Sequence, residues 1–300
     1  MATAPVFRAS RGLNNVIEPH RLGYSEDGAC YFVEAVNVIV DDGGSFKRRF
    51  GKKEVRLGDA HSLWSSNEFC LFVSGGDLYR ILPDMSVVLV TASVGDIAMC
   101  YVELAGKVYC SNGIIGLVVT DSTVTNWVAS VPTKMPGDER VLGMPGYFSK
   151  MVIHGGRLFG LAGNILWQSE PGMFGCFDLA NGAIPFTVVH DFVSVGSGMY
   201  VSCEDGIVYL EGTAKENFER KIVYSKGCVP GTMTVVDGSD VGDGTDFFGQ
   251  TAVWVTRSGV CFGDARGFVK NKTSQYLSFN AGISGAGVGI PGQYFFSLEV

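Results

Sequence analysis

Four aspartates recur at every third position in the stretch DGSDVGDGTD: Asp237, Asp240, Asp243 and Asp246. Several carboxylates on one loop suit a hard cation such as calcium, which binds through oxygens. The spacing is not that of an EF-hand, and Phe248 stands where that loop would place its closing glutamate. A solvated, turn-rich loop is the competing reading, so the four aspartates are carried as candidate calcium ligands. The four histidines, His20, His61, His154 and His190, lie far apart and form no HExxH or HxH pattern, which reads as turn or core histidine. None of the eight cysteines forms a CxxC pair, so zinc is not expected. There is no GxSxG elbow. GISGAGVGIPG leads into a Pro-Gly turn and a strand, whereas phosphate cradles open a helix. SEDGACYF (25–32) is only loosely like the Asp-box of sialidase propellers, because Asp27 and Gly28 are adjacent. These residues predict no catalytic group and no cofactor.

Charge is the other chemical resource. Lys47, Arg48, Arg49, Lys52 and Lys53 form a basic cluster in a chain whose net charge is −7. General DNA or RNA binding needs basic surface to displace counterions, and the overall balance argues against it. The cluster begins on the return strand of EAVNVIVDDGGSFKRRFG (34–51), which reads as strand, turn and strand. Val36, Val38 and Val40 share one face of the first strand; Phe46, Arg48 and Phe50 share one face of the return strand. Charges on such a hairpin block edge-to-edge pairing, which alone accounts for them.

The elements that position these residues are strands. Glycine is abundant, at 41 residues, and Val, Phe and Tyr fall between glycines without a collagen period. An apolar strand, a glycine turn and a second apolar or aromatic strand recur at 62–82, 96–113, 149–170, 192–213 and 249–271. The rhythm, about 40–50 residues, is that of propeller blades. It predicts an all-β chain, a single β-propeller domain over 1–300 of about six or seven blades, with 1–24 as an extended N-terminal segment. A β-sandwich assembly is the alternative. QYFFSLEV (293–300) is expected to complete the first blade and close the ring. AKENFERK (214–221) is the best helix candidate, and the glycine-rich stretches 236–249 and 280–292 read as long loops. Most cysteines sit inside apolar runs such as EFCLFV and KVYCS and read as small buried hydrophobes of a reducing compartment. No signal-peptide core and no apolar run of spanning length appears, so a protein made in the cytoplasm without membrane insertion is expected.

The segment RGLNNVIEPHRL…FVEAVNVIVDDGGSFKRRFG (11–51) resembles a family of bacteriophage virion structural proteins. In that family a Gly-Leu-Asn-Asn segment precedes an EAVNV strand, a DDGG turn and a basic strand. Later segments match in kind and order: 155–172, 205–213 with 217–232, and 252–263 with 267–273. The resemblance implies a non-enzymatic tail protein of the nozzle, distal tail or head–tail region, nearest to a propeller subunit in the nozzle of a short-tailed phage. This chain departs from the pattern in its richness in cysteine, and nozzle proteins are often longer. The implied partners are copies of itself in a ring, neighbouring tail or connector proteins, and phage DNA in transit without sequence-specific binding. The implied location is the virion tail, after synthesis in the host cytoplasm. Leu13, Asn14 and Asn15 would lie against a neighbouring subunit, and the basic cluster would face an acidic surface. A host-receptor or glycan-binding propeller at the tail tip is the alternative, with Trp127 and Tyr147 as loop aromatics. A glycan-cleaving propeller would need two carboxylates in a central pocket.

Overall fold

Strands that are apolar at successive positions must be covered on both faces. The computed structural model, which describes residues 9–18, 29–36, 38–40, 46–48, 58–241, 247, 249–280 and 282–299, meets that demand with sheets stacked face to face. Strands β1 (Ala9–Leu13) and β2 (Ala29–Phe32) pair in parallel, and β3 (Val38–Val40) and β4 (Phe46–Arg48) form an antiparallel hairpin. Five larger sheets follow. The first contains β5 (His61–Ser65), β6 (Cys70–Ser74), β7 (Asp77–Ile81) and β8 (Val87–Thr91). The second contains β9 (Cys100–Leu104), β10 (Lys107–Ser111), β11 (Gly116–Val119) and β12 (Val124–Asn126). The third is larger: β13 (Leu142–Gly143), β14 (Lys150–His154), β15 (Arg157–Ala162), β16 (Ile165–Glu170) and β17 (Met173–Asp178), with β18 (Ala183–Pro185) paired to β16. The fourth contains β19 (Val189–Val195), β20 (Gly198–Cys203), β21 (Gly206–Glu211) and β22 (Glu219–Tyr224). The fifth contains β23 (Thr234–Asp237), β24 (Gln250–Thr256), β25 (Gly259–Gly263) and β26 (Val269–Asn271). A last hairpin joins β27 (Ser284–Ile290) to β28 (Gln293–Glu299).

The chain is a β-propeller. Strands β9, β14, β19, β23 and β27 touch in succession, as the inner strands of consecutive blades do. The core is correspondingly divided into layers between blades. In β20, Met199, Val201 and Cys203 pack toward the third blade with Phe159, Leu161 and Leu166. Tyr200, between them in sequence, packs toward the fifth blade with Met233, Trp254 and Cys261. The period of two sends alternate residues to different layers. A sandwich buries one face per sheet, and these middle sheets bury both, which rules that alternative out. The same geometry explains the cysteines: Cys110, Cys176, Cys203, Cys228 and Cys261 are buried and unbridged. Layers packed this closely demand small residues at some positions. A Cβ on Gly160 would lie 2.5 Å from the Phe148 ring.

Three expectations are not met among the described residues. There β28 pairs with β27, and neither the opening hairpin nor the sheet β5–β8 is paired to it. The stretch 280–292 is not a loop, because 284–290 is strand β27. Its Gly285, Gly287 and Gly289 share the face turned to residues 231–236; a Cβ on Gly287 would lie 2.4 Å from the Thr232 carbonyl oxygen, and one on Gly289 would lie 2.6 Å from Val236 Cγ1. The glycines serve backbone approach there. Residues 214–221 hold a 3₁₀ turn, Lys215–Asn217, and then the start of β22. Pairing along the edge of β21 overrides helix propensity, and Lys221 sits between Glu211 and Glu219, which oppose each other across the strands. Five blades are complete among the described residues, and the terminal hairpins remain two-stranded.

Candidate assembly interface

The N-terminal segment bends where glycine permits it. Gly12 has φ +94° inside a register shift of β1 on β2. Beyond it the two asparagines act inward. Asn14 is 1% exposed, and its Oδ1 accepts from the N–H groups of Val16 and Ile17, both at 3.2 Å. This side-chain turn shapes the chain locally, so Asn14 cannot meet a neighbouring subunit. The Asn15 side chain mimics a peptide group: Nδ2 donates to the Ser278 carbonyl and Oδ1 accepts from the Ser278 N–H, each at 2.8 Å. Asn15 N–H adds a bond to the Tyr276 carbonyl at 2.9 Å. Tyr31 of β2 stacks on Tyr276, ring centroids 5.6 Å apart. The segment expected to lie on a neighbouring subunit is therefore fastened to the segment between β26 and β27. Leu13, Val16 and Ile17 remain exposed.

Of the basic cluster, Arg48 is exposed at the end of β4. Lys47 occupies β4, opposite Ile39 in register. Arg49, Lys52 and Lys53 lie outside the described residues, as do the DDGG turn, Asp243, Asp246 and His20. Of the calcium candidates, Asp237 caps a short turn through Ser239 N–H at 2.9 Å, and Asp240 Oδ2 accepts from Gly292 N–H at 2.8 Å. Both carboxylates thus serve as turn acceptors, and among the described residues no three metal-ligating side chains converge. His61 is neither a turn nor a core residue but opens strand β5, half-buried: Nε2 lies 2.9 Å from Asp96 Oδ1, and Nδ1 lies 2.8 Å from Ser62 Oγ. His154 is a core residue held between Ser194 Oγ and the Gly212 carbonyl, and burial pulls its pKa down. Of the loop aromatics, Trp127 turns inward, at 2% exposed; Tyr147 is half-buried, and both rings lie over Gly116.

Sequence reasoning missed a polar node between the inner strands. Asp191 of β19 is 1% exposed and forms an ion pair with Lys150 of β14. Its Oδ2 also accepts from Gly231 and Met233 N–H at 3.1 and 3.2 Å, and Oδ1 accepts from Phe192 N–H at 2.8 Å. One carboxylate so ties three consecutive blades together. Cys100 and Cys228 lie beside it; burial pushes the Cys100 thiol up to about 12 and raises that of Cys228. Partners 41 residues apart leave no spacing to read. The only signal is a charge at the start of each apolar strand, in SKMVIH and HDFVSV. On the outer side of the fourth blade, Pro185, Phe186, Val208, Arg220 and Ile222 line a groove of about 520 Å³. Arg220 stacks over Phe186 with its guanidinium carbon 4.7 Å from the ring centroid.

No protein-family model and no curated protein matches the sequence. Solved structures do match. The extracellular domain of the hybrid two-component system BT4673 from B. thetaiotaomicron superposes with TM-score 0.51 at 10% identity, over 81% of this chain. This chain spans about a third of that one, 32%. Virginiamycin B lyase from Staphylococcus aureus is similar over 93% of this chain and 90% of its own, at 12% identity and TM-score 0.45. A gluconolactonase from Xanthomonas campestris is similar over 80% of this chain and 83% of its own, at 11% identity and TM-score 0.47. At such identities the likeness concerns the fold alone. Among the described residues no helix is long and apolar enough to cross a membrane.

Proposed function

We propose that this chain is a non-enzymatic structural component of a bacteriophage virion, a tail protein of the nozzle, distal tail or head–tail region. Copies of it assemble in a ring that conducts DNA. The observation that carries the reading is the anchored N-terminal arm. The Gly-Leu-Asn-Asn segment, the most specific part of the resemblance, is bonded at Asn15 to Ser278 and leaves Leu13, Val16 and Ile17 on the surface. An apolar strip on a fixed arm is a surface that a neighbouring protein can cover. The net charge of −7 suits a wall that DNA slides past. The receptor-binding alternative loses one of its two aromatic candidates, because Trp127 is buried, while Tyr147 is half-buried.

The test is mass analysis with negative-stain imaging at low and moderate salt, on the wild type and on Lys47→Gln/Arg48→Gln/Arg49→Gln. A ring that weakens with salt and with these substitutions supports the assembly role. A monomer under every condition, unchanged by the substitutions, refutes the self-assembling ring.

A further inference from the structure

Each of the five complete blades has at least four strands, and the last hairpin has two. The deficiency lies at a definite edge. Gly285 and Gly287 of β27 donate their N–H groups to the Pro230 and Gly231 carbonyls, away from β28. Their cross-strand partners are Leu298 and Phe296. In an antiparallel pair, residues opposite such positions also point their N–H groups away from the partner. The amides of Tyr294, Phe296 and Leu298 therefore line the outer edge of β28, on which no strand is paired among the described residues.

We propose that the hairpin β3–β4 completes this sixth blade, with β3 pairing along the outer edge of β28. The two hairpins sum to four strands, the number in the first, second, fourth and fifth blades. The chain order also fits: in a meander the outermost strand of one blade leads to the innermost strand of the next, and β4 is followed by β5, the first strand of the first blade. The chain break then falls between the second and third strands of the sixth blade. The N-terminal segment is already moored there, through Asn15 on Ser278 and Tyr31 on Tyr276. From Phe32 the chain reaches Val38 within about 20 Å, the length of one strand. Arg48 brings positive charge toward a strand that ends in Glu299. Large apolar side chains are also exposed at both ends of the blade series. Val288 and Phe295 are 54% and 46% exposed on the hairpin, and Leu63 and Leu89 are 69% and 55% exposed on the first blade. The inference concerns how the propeller closes and stands apart from the virion reading.

Residue-resolved hydrogen exchange on the full chain tests it, with Val38→Pro/Ile39→Pro as the perturbation, since proline removes the donors a strand needs. The amides of Tyr294, Phe296 and Leu298 are expected to be protected in the wild type. They should exchange about ten-fold faster or more in the variant, while β20 and β24 amides keep their protection and show that the fold persists. Free-edge exchange in the wild type overturns the proposal, as does protection that the variant leaves unchanged. Protection that falls on dilution also overturns it, because a second copy would then supply the strand.

Discussion

Gly287→Ala tests the account of β27 most directly. An ideal Cβ at this position lies 2.4 Å from the Thr232 carbonyl oxygen and 2.8 Å from Tyr294 Oη. Ordinary contact begins about 1 Å further out, so β27 must retreat from residues 231–236. The obstacle is backbone, and that carbonyl also accepts the Tyr294 hydroxyl at 2.6 Å. Overpacking costs about 1–3 kcal/mol, and a lost hydrogen bond adds about 0.5–1.5 kcal/mol. The smaller entropy of an unfolded alanine returns about 0.4–1 kcal/mol. The net loss is about 0.5–4 kcal/mol, or up to several degrees in Tm. Equilibrium denaturation followed by fluorescence measures it. Ala286→Val is the control: that side chain is exposed on the opposite face, and the change should stay within about 0.5 kcal/mol. A Gly287→Ala variant as stable as the wild type, or a control that loses as much, refutes the placement of the glycine face.

Lys150→Met leaves Asp191 buried without its cation and should destabilise by about 3–5 kcal/mol, while Lys150→Met/Asp191→Asn should recover part of that in a double-mutant cycle. A double variant that loses the sum of the two single-variant losses would mean that the pair is not coupled. His154 is held neutral by burial, with its pKa below 6.5. The unfolded chain binds that proton more readily, so its contribution is complete above pH 6.5 and declines as pH falls toward the folded value. His154→Gln should flatten the slope of stability between about pH 5 and 7, and an unchanged slope counts against it. In the native protein a thiol reagent should leave Cys110, Cys203, Cys228 and Cys261 unmodified, because burial raises all four thiols. Mass mapping that finds them labelled before unfolding contradicts their place in the core.

The blades were legible because each is built from neighbours in sequence. Runs such as VSVGSGMYVSC show strand, glycine turn and strand within one glance, and the buried cysteines follow from the apolar context. Strand β27 was not legible. Its alternate glycines bear no side chain to display a period, and their reason lies in Thr232 and Val236, more than 50 residues earlier. AKENFERK misled because edge pairing to β21 is a tertiary fact. The Asn14–Asn15 pair was recognised as important, yet its direction was not. Only the fold shows that Asn15 meets Ser278 across 263 residues.

The alternation in β20 places Tyr200 and Val201, joined by one peptide bond, in separate apolar layers. A rigid planar unit under 4 Å long therefore links two interfaces mechanically. A disturbance between the third and fourth blades reaches the fourth and fifth without crossing any loop. Cooperativity here passes from neighbour to neighbour, as in a one-dimensional stack. Fluorescent or isotopic labels at consecutive positions would then report different blade contacts, and the delay between their signals would time the passage of unfolding through the molecule.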